Sequence, residues 1–378
     1  MSTTLLPERH RAGLRTWVLF GDPTRSALCW LALALVGSVF LFDAPRYTLL
    51  STYTDHMRHT YAAWSFLHLG FGVYTQPMGT WDVAAVEPFV TWPTLPHMYP
   101  FGSLLLFLPA ALLVNLSVLA PATTYALLVA AFTGAGTLAM ALLYRTLPYP
   151  PGLAALVTAL AAMPYLFWGL NGFFDTVAVA LALVGVAAHR REGERVSLFA
   201  LIGALSLHFR LWYLGPLALA TAWRYWRERG VDAAFVGALA LGGLSLASFA
   251  LTLPAAGRLG ETEMFTENPV ALTTGAGITP ETGVALAGAA VLLGVLYTRE
   301  RDPVALAALT LAVASVFALS QWVAWYPILL TPALALADRR ASQVALVVAF
   351  LQVSVSLGNP PNWFAFAEAV LRATVGWG

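Results

Sequence analysis

Apolar runs recur along nearly the whole chain, at about 26–42, 99–119, 122–144, 150–168, 174–188, 196–223, 233–253, 283–297, 303–319, 325–337 and 341–357. No other feature constrains the fold as strongly. A helical run of roughly 20 apolar residues matches the hydrocarbon thickness of a bilayer. Inside hydrocarbon, a backbone satisfies its polar groups as helices or closed barrels. Charged residues make up 10% of the chain, against roughly 25% in soluble domains, and the mean hydropathy is +0.73. The expected fold is all-α: one polytopic membrane domain over 1–378, with about 10–13 transmembrane or re-entrant helices.

Charge sets the expected orientation. All twenty basic residues are arginine. Arg9, Arg11, Arg15 and Arg25 crowd residues 1–25, which places that segment in the cytoplasm by the positive-inside rule. The N-terminus has no small-x-small cleavage pattern and reads as retained. Simple alternation then puts the loop His189–Arg195 outside, although its three arginines favour the inside. One earlier segment is therefore expected not to cross. The run 99–119, which contains Pro109 and Asn115 and can bend back, is the candidate. The run 196–223 is broken by His208-Phe209-Arg210 and Pro216. Its halves are too short for a crossing of roughly 20 residues, so it reads as two short helices that enter and return. Segments 43–98, 254–282 and 358–378 are then external, and 254–282 reads as a solvated connector or as a lid over the donor. A formal charge of +1 with no basic stripe gives no reason to expect nucleic acid. The single Cys29 excludes an internal disulfide.

The external segment 43–98 holds the densest charge. Between Asp55 and His68 lie one Asp, one Arg and three His. Tyr53, Met57, Tyr61 and Trp64 recur at helical spacing, which predicts an interfacial helix with its aromatics buried. Asp55 and His59, one turn apart, would then be raised toward water. A carboxylate at a lipid–water boundary suits proton abstraction from an acceptor; a solvated surface helix is the plainer reading. Asp55-x-x-x-His59 also has a metal-ligand spacing, but two ligands are not a site. Arg210 lies deep in an apolar run, where an arginine needs a partner and marks a functional position. With a lipid phosphate present, Arg210 or His208 could hold it; a pair between Arg210 and Asp175 is the structural alternative. Arg46 and Arg58 either meet the same phosphate or snorkel to headgroups.

The order of short motifs resembles the GT-C superfamily of membrane glycosyltransferases. Asp55, His59, Tyr61, Gly72 and Tyr74 are similar to its first external loop. Met98-Tyr99-Pro100-Phe101-Gly102 resembles the start of its next helix. Asn171-Gly-Phe-Phe-Asp175, followed by a basic turn and Leu201 to Arg210 and Pro216, resembles its Asp-headed helix and Arg-then-Pro pattern. Gln321-Trp-Val-Ala-Trp325-Tyr326-Pro327 resembles an aromatic–Pro helix start in the mannosyltransferase-like branches. The chain departs from the family in having Asp55-His56 where two acidic residues are common and in having no Asp-x-Asp motif, and it is expected to lack the large external C-terminal domain.

The resemblance implies transfer of a sugar from a polyprenyl-phosphate donor to a lipid, glycan or protein acceptor at the external face of the cell membrane. Inversion at the anomeric carbon is implied. Asp55 would be the base and His59 a positioning group. Arg210, Arg58 and His208 would bind the donor phosphate, and Asp175, Tyr99 and Tyr326 would contact substrate. No cofactor or divalent metal is expected, and membrane lipids are the surrounding partner. A transporter or flippase of a lipid-linked substrate is the alternative, although no internal repeat of the transporter kind is present. An acyltransferase would need a histidine buried within a span, and His208 alone meets that demand.

Overall fold

The computed structural model describes residues 53–86, 88, 93–147, 154, 157–158, 161, 173–256, 280–318, 326–337, 343 and 346. The expectations for 1–25, Arg46, the run 26–42, Trp322, Trp325 and the tail 358–378 lie outside them, as do most of the runs 150–168 and 341–357 and most of the 254–282 loop. All regular structure among the described residues is helical. We number the helices α1 Tyr53–Leu69, α2 Phe101–Asn115, α3 Pro121–Thr146, α4 Asp175–His189, α5 Glu194–Leu207, α6 Gly215–Arg229, α7 Ala233–Ala256, α8 Pro280–Arg299, α9 Pro303–Ala318 and α10 Thr331–Leu336. Short 3-10 turns occupy Gly70–Tyr74, Met78–Thr80, Phe209–Leu214 and Tyr326–Leu330.

Two of these helices are long and apolar enough to cross a membrane, α3 and Ala233–Ala255 of α7. At 1.5 Å per residue their 26 and 23 residues span about 39 and 35 Å. On α7, Val236, Leu239, Leu246 and Leu253 are each more than half exposed. A helix in the core of a water-soluble protein would bury such residues, so this apolar face is suited to a nonaqueous surrounding. The helices α2, α4, α8 and α9 are apolar over shorter lengths. The 15 residues of α4 cover about 22 Å, less than a hydrocarbon core of about 30 Å. Length therefore separates α3 and α7 from α2 and α4, each of 15 residues, a distinction that hydropathy alone does not make.

The Arg-rich turns gather at one end. His189 Nδ1 lies 3.0 Å from Thr221 Oγ1, and the Arg224 guanidinium lies against the His189 ring, Nη2 to Nε2 3.1 Å. Arg190 Nη2 donates to Leu336 O at 2.8 Å. The charges of Arg145 and Arg191 act on each other, as do those of His189 and Asp302. The ends of α3, α4, α6 and α10 and the start of α9 therefore share this end. Ser197 at the start of α5 meets Thr221 near the end of α6, 3.5 Å between hydroxyl oxygens, so α5 and α6 run antiparallel. The break at His208 is a true fold-back.

The same contacts orient α2. Its start packs on the far end of α5, where a Cβ on Gly102 would fall 2.6 Å from Ser206 O. Its end is tied to the preceding loop, with Val86 N–H donating to Asn115 Oδ1 at 2.9 Å. From there α3 runs to Arg145 at the basic end. Both ends of α2 thus lie away from the Arg-rich turns. The helix is one continuous run of 15 residues through Pro109 and does not bend back.

The α4–α5 hairpin depends on small residues. A Cβ on Gly185 would meet Leu201 Cγ at 2.7 Å, and Ser197 Oγ donates to Gly185 O at 2.9 Å. Such close approach needs a residue without a side chain at the crossing. The turn itself carries Glu192 at φ 58 and closes with Gly193 N–H on Ala188 O at 2.9 Å.

Helix α1 corrects the expectation of a surface helix with a wet polar face. His56, Arg58, His59 and Thr60 are all buried, and exposure begins only near Leu67. Tyr61 and Ala62 pack with Val73, Tyr74, Met78, Trp81, Phe101 and Leu104, while Ala63 joins the main core. Met57 and Trp64, expected to be buried, are partly exposed. The helix is covered on both sides, so its apolar spacing did not identify an outer face.

Candidate functional site

The site grows from four stretches that meet at the end opposite the Arg-rich turns. Gly102 lets α2 sit directly on the end of α5. That approach carries Tyr99 to His208, with ring centroids 5.4 Å apart. Tyr99 also lies 4.9 Å from His59, 5.0 Å from Phe174 and 6.0 Å from His97. It is a partly exposed hub over a buried cluster. His59 packs within 4.9 Å of Phe107 and 5.0 Å of Phe174.

His97 is held by its chain and its ring. Its N–H donates to Val73 O at 2.9 Å, in a return segment that also pairs Met78 N–H with Leu95 O and Gly79 N–H with Pro93 O. Gly79 is required there, since a Cβ would lie 2.7 Å from Pro93 Cβ. The Ser103 hydroxyl donates to Pro100 O at 2.7 Å. Its oxygen therefore accepts from His97 Nε2–H at 2.9 Å, which leaves Nδ1 as a lone-pair acceptor.

His208 ends α5 in an extended conformation (φ −142, ψ 120) and caps the next turn. Its Nδ1 accepts from Arg210 N–H at 3.2 Å, so the proton of a neutral ring is on Nε2. Nε2 lies 3.0 Å from Asp175 Oδ1, off the N–H line, as a close electrostatic contact rather than a straight hydrogen bond. Asp175 stands in the first turn of α4, where the helix dipole favours a carboxylate. Both ring nitrogens of His208 thus face protein groups, an arrangement that suits positioning better than phosphate binding. Arg210 is buried, with Cζ 5.3 Å from the Phe209 ring centroid.

The remaining imidazoles are kept neutral. Burial pushes His56 down to about 4. Burial and then the Arg58 charge push His97 to about 3. His59 is held well below its ordinary value by burial first, then by His97 and Arg58. His56 Nδ1 and Nε2, His59 Nδ1 and His97 Nδ1 are buried without a hydrogen-bond partner. Each such atom costs about 1–3 kcal/mol if nothing fills it. Among the described residues no three His, Cys, Asp or Glu are grouped to hold a metal ion.

Six of the eight residues singled out by sequence, Arg58, His59, Tyr99, Asp175, His208 and Arg210, have described side chains. The ring contacts, the Asp175–His208 pair and the Arg58 field join them at this end. Asp55 lies in the first turn of α1 and Tyr326 begins a 3-10 turn, but their side chains fall outside the described residues. Sequence reasoning missed His56, Phe107 and Phe174, and assigned no role to His97. The i, i+3 spacing of His56 and His59 was the available signal; the two phenylalanines look like any core aromatic.

Fold and site together define an all-helical protein with a closed histidine–aromatic cluster at one end and arginine-rich turns at the other. No family model, curated protein or solved structure matches the chain.

Proposed function

We propose that the chain is a polytopic membrane glycosyltransferase of the GT-C kind, acting at the external face with a polyprenyl-phosphate sugar as donor. The observation that carries this reading is the cluster just described. Residues far apart in sequence, each picked out for the same chemistry, converge at the end away from the Arg-rich turns. The exposed apolar face of α7 and the length of α3 and α7 support a bilayer setting, and the arginine distribution supports cytoplasmic basic turns.

In the proposed reaction Asp55 takes the proton of the acceptor as the acceptor atom bonds to the anomeric carbon. The bond from that carbon to the phosphate oxygen breaks with inversion. Arg58 and Arg210 stabilise the charge left on the polyprenyl phosphate. His59 and Tyr99 shape the sugar side, and the Asp175–His208 pair holds the turn that carries Arg210. Tyr326 completes the substrate contacts, and the acceptor is a lipid, glycan or protein. No divalent metal enters the scheme. The transporter alternative is less favoured because the sequence carries no internal repeat of the transporter kind.

Asp55→Asn tests the assignment. In proteoliposomes supplied with polyprenyl-phosphate hexoses, it should abolish sugar transfer with unchanged expression. Full transfer by that variant would remove Asp55 from the reaction.

A further inference from the structure

We propose that the inner face of α1, formed by His56 and His59 with His97 beside them, is the subsite for the uncharged glycosyl unit, distinct from the arginines that would meet the phosphate. The inference deepens the glycosyltransferase reading and rests on it for the identity of the ligand.

Four imidazole nitrogens in this one region lack a hydrogen-bond partner: both of His56, Nδ1 of His59 and Nδ1 of His97. All three side chains are at least nine-tenths buried. Buried polar atoms in native proteins are nearly always satisfied, so a set of four demands an occupant. Neutral imidazole offers one donor and one acceptor, the complement of a hydroxyl group. Burial keeps these rings neutral, so they add no charge to attract an anion.

Aromatic rings surround these imidazoles. The His56 ring lies 5.4 Å from Phe132, 6.0 Å from Phe107 and 6.4 Å from Tyr125 between centroids. The Phe107 and Phe174 rings flank His59. Aromatic faces present negative quadrupoles, which suit the C–H faces of a sugar ring, while its hydroxyls would take the imidazole nitrogens. Tyr99, partly exposed above His59, marks where the cluster reaches the surface. Asp55 precedes His56 directly, which places the proposed base on the same helical turn as the subsite.

The experiment uses the full chain in phospholipid nanodiscs with 15N-labelled histidine. Only seven histidines are present, so each ring can be assigned by substitution. Methyl hexosides of several configurations serve as neutral probes. Saturable shifts at His56, His59 and His97 are expected with at least one of them, with His189 at the opposite end unmoved. His56→Phe keeps an aromatic ring and should weaken that binding about tenfold or more, while an unchanged His189 signal reports an intact fold. Undecaprenyl phosphate without a sugar should leave His56 unshifted.

No hexoside shift at His56, or water exchange peaks that persist at its nitrogens under saturating probe, would overturn the inference and identify the occupant as water. An equal shift with undecaprenyl phosphate alone would overturn it in favour of an anion site. The two readings fail separately. Transfer that depends on Asp55 with no hexoside effect at His56 keeps the enzyme and removes the subsite. Hexoside binding at His56 with transfer indifferent to Asp55→Asn keeps the subsite and removes the proposed base.

Discussion

Removing the His208 ring exposes the energetic logic of the site. In His208→Ala, Arg210 N–H loses the acceptor now at 3.2 Å, a cap-type loss of about 0.5–2 kcal/mol. Asp175, 3% exposed, also loses the imidazole 3.0 Å away, which costs about 1–3 kcal/mol for a buried polar group. The expected destabilisation is roughly 2–5 kcal/mol. Asp175→Ala alone should cost about 1–3 kcal/mol, since it strands His208 Nε2–H. The double variant strands neither partner. It should fall short of the sum by about 1–3 kcal/mol, as expected for groups in direct contact. His208→Asn offers the backbone an oxygen acceptor and should recover the cap part alone. Unfolding in mixed micelles, followed by tryptophan fluorescence, provides the four free energies. Additivity within about 0.5 kcal/mol would refute the coupling and leave His208 as a simple packing residue.

Further outcomes follow from other parts of the fold. His56 and His97 are depressed to about 4 and about 3, below the 6.5 of an unfolded histidine, and under the proposed topology neither lies on a spanning helix. The unfolded chain therefore binds more protons in acid. Their contribution is full above about pH 6.5 and is lost as pH falls toward about 4 and about 3; unfolding midpoints of wild type and His97→Phe between pH 7 and 4 measure it, and parallel curves would contradict it. Gly185→Ala drives a Cβ to within 2.7 Å of Leu201 Cγ and should destabilise by about 1–3 kcal/mol, with partial rescue by Leu201→Ala in the same micelle assay. In a Cys29→Ser background, Ser117→Cys should label from outside intact cells and Glu192→Cys should not. External labelling of residue 192 would reverse the topology built on the Arg-rich turns.

Much of the arrangement was legible without coordinates because it rests on local rules. The fold-back at His208 was readable from a histidine, an arginine and Pro216 inside one apolar run. The opposite error on α1 is equally instructive. Tyr53, Met57, Tyr61 and Trp64 do recur at helical spacing, but hydrophobic period locates an outer face only when one side of a helix meets solvent. With α2 and α3 on one side and the 70–81 segment on the other, the polar side was the one enclosed.

By itself, the sequence determined helical class, the placement of charge in a few turns and the shortlist Arg58, His59, Tyr99, Asp175, His208 and Arg210, since composition, spacing and chain breaks act over a few residues. Tertiary structure alone decided that Asp175 faces His208, that both His208 nitrogens are engaged, and that His56, His59 and His97 carry unpaired nitrogens among aromatic rings. Those facts depend on contacts between residues up to about 150 positions apart, such as Gly102 against Ser206 and Phe101 N–H on Ser248 Oγ, and pairing at that distance is set by the packing of whole helices rather than by any local pattern.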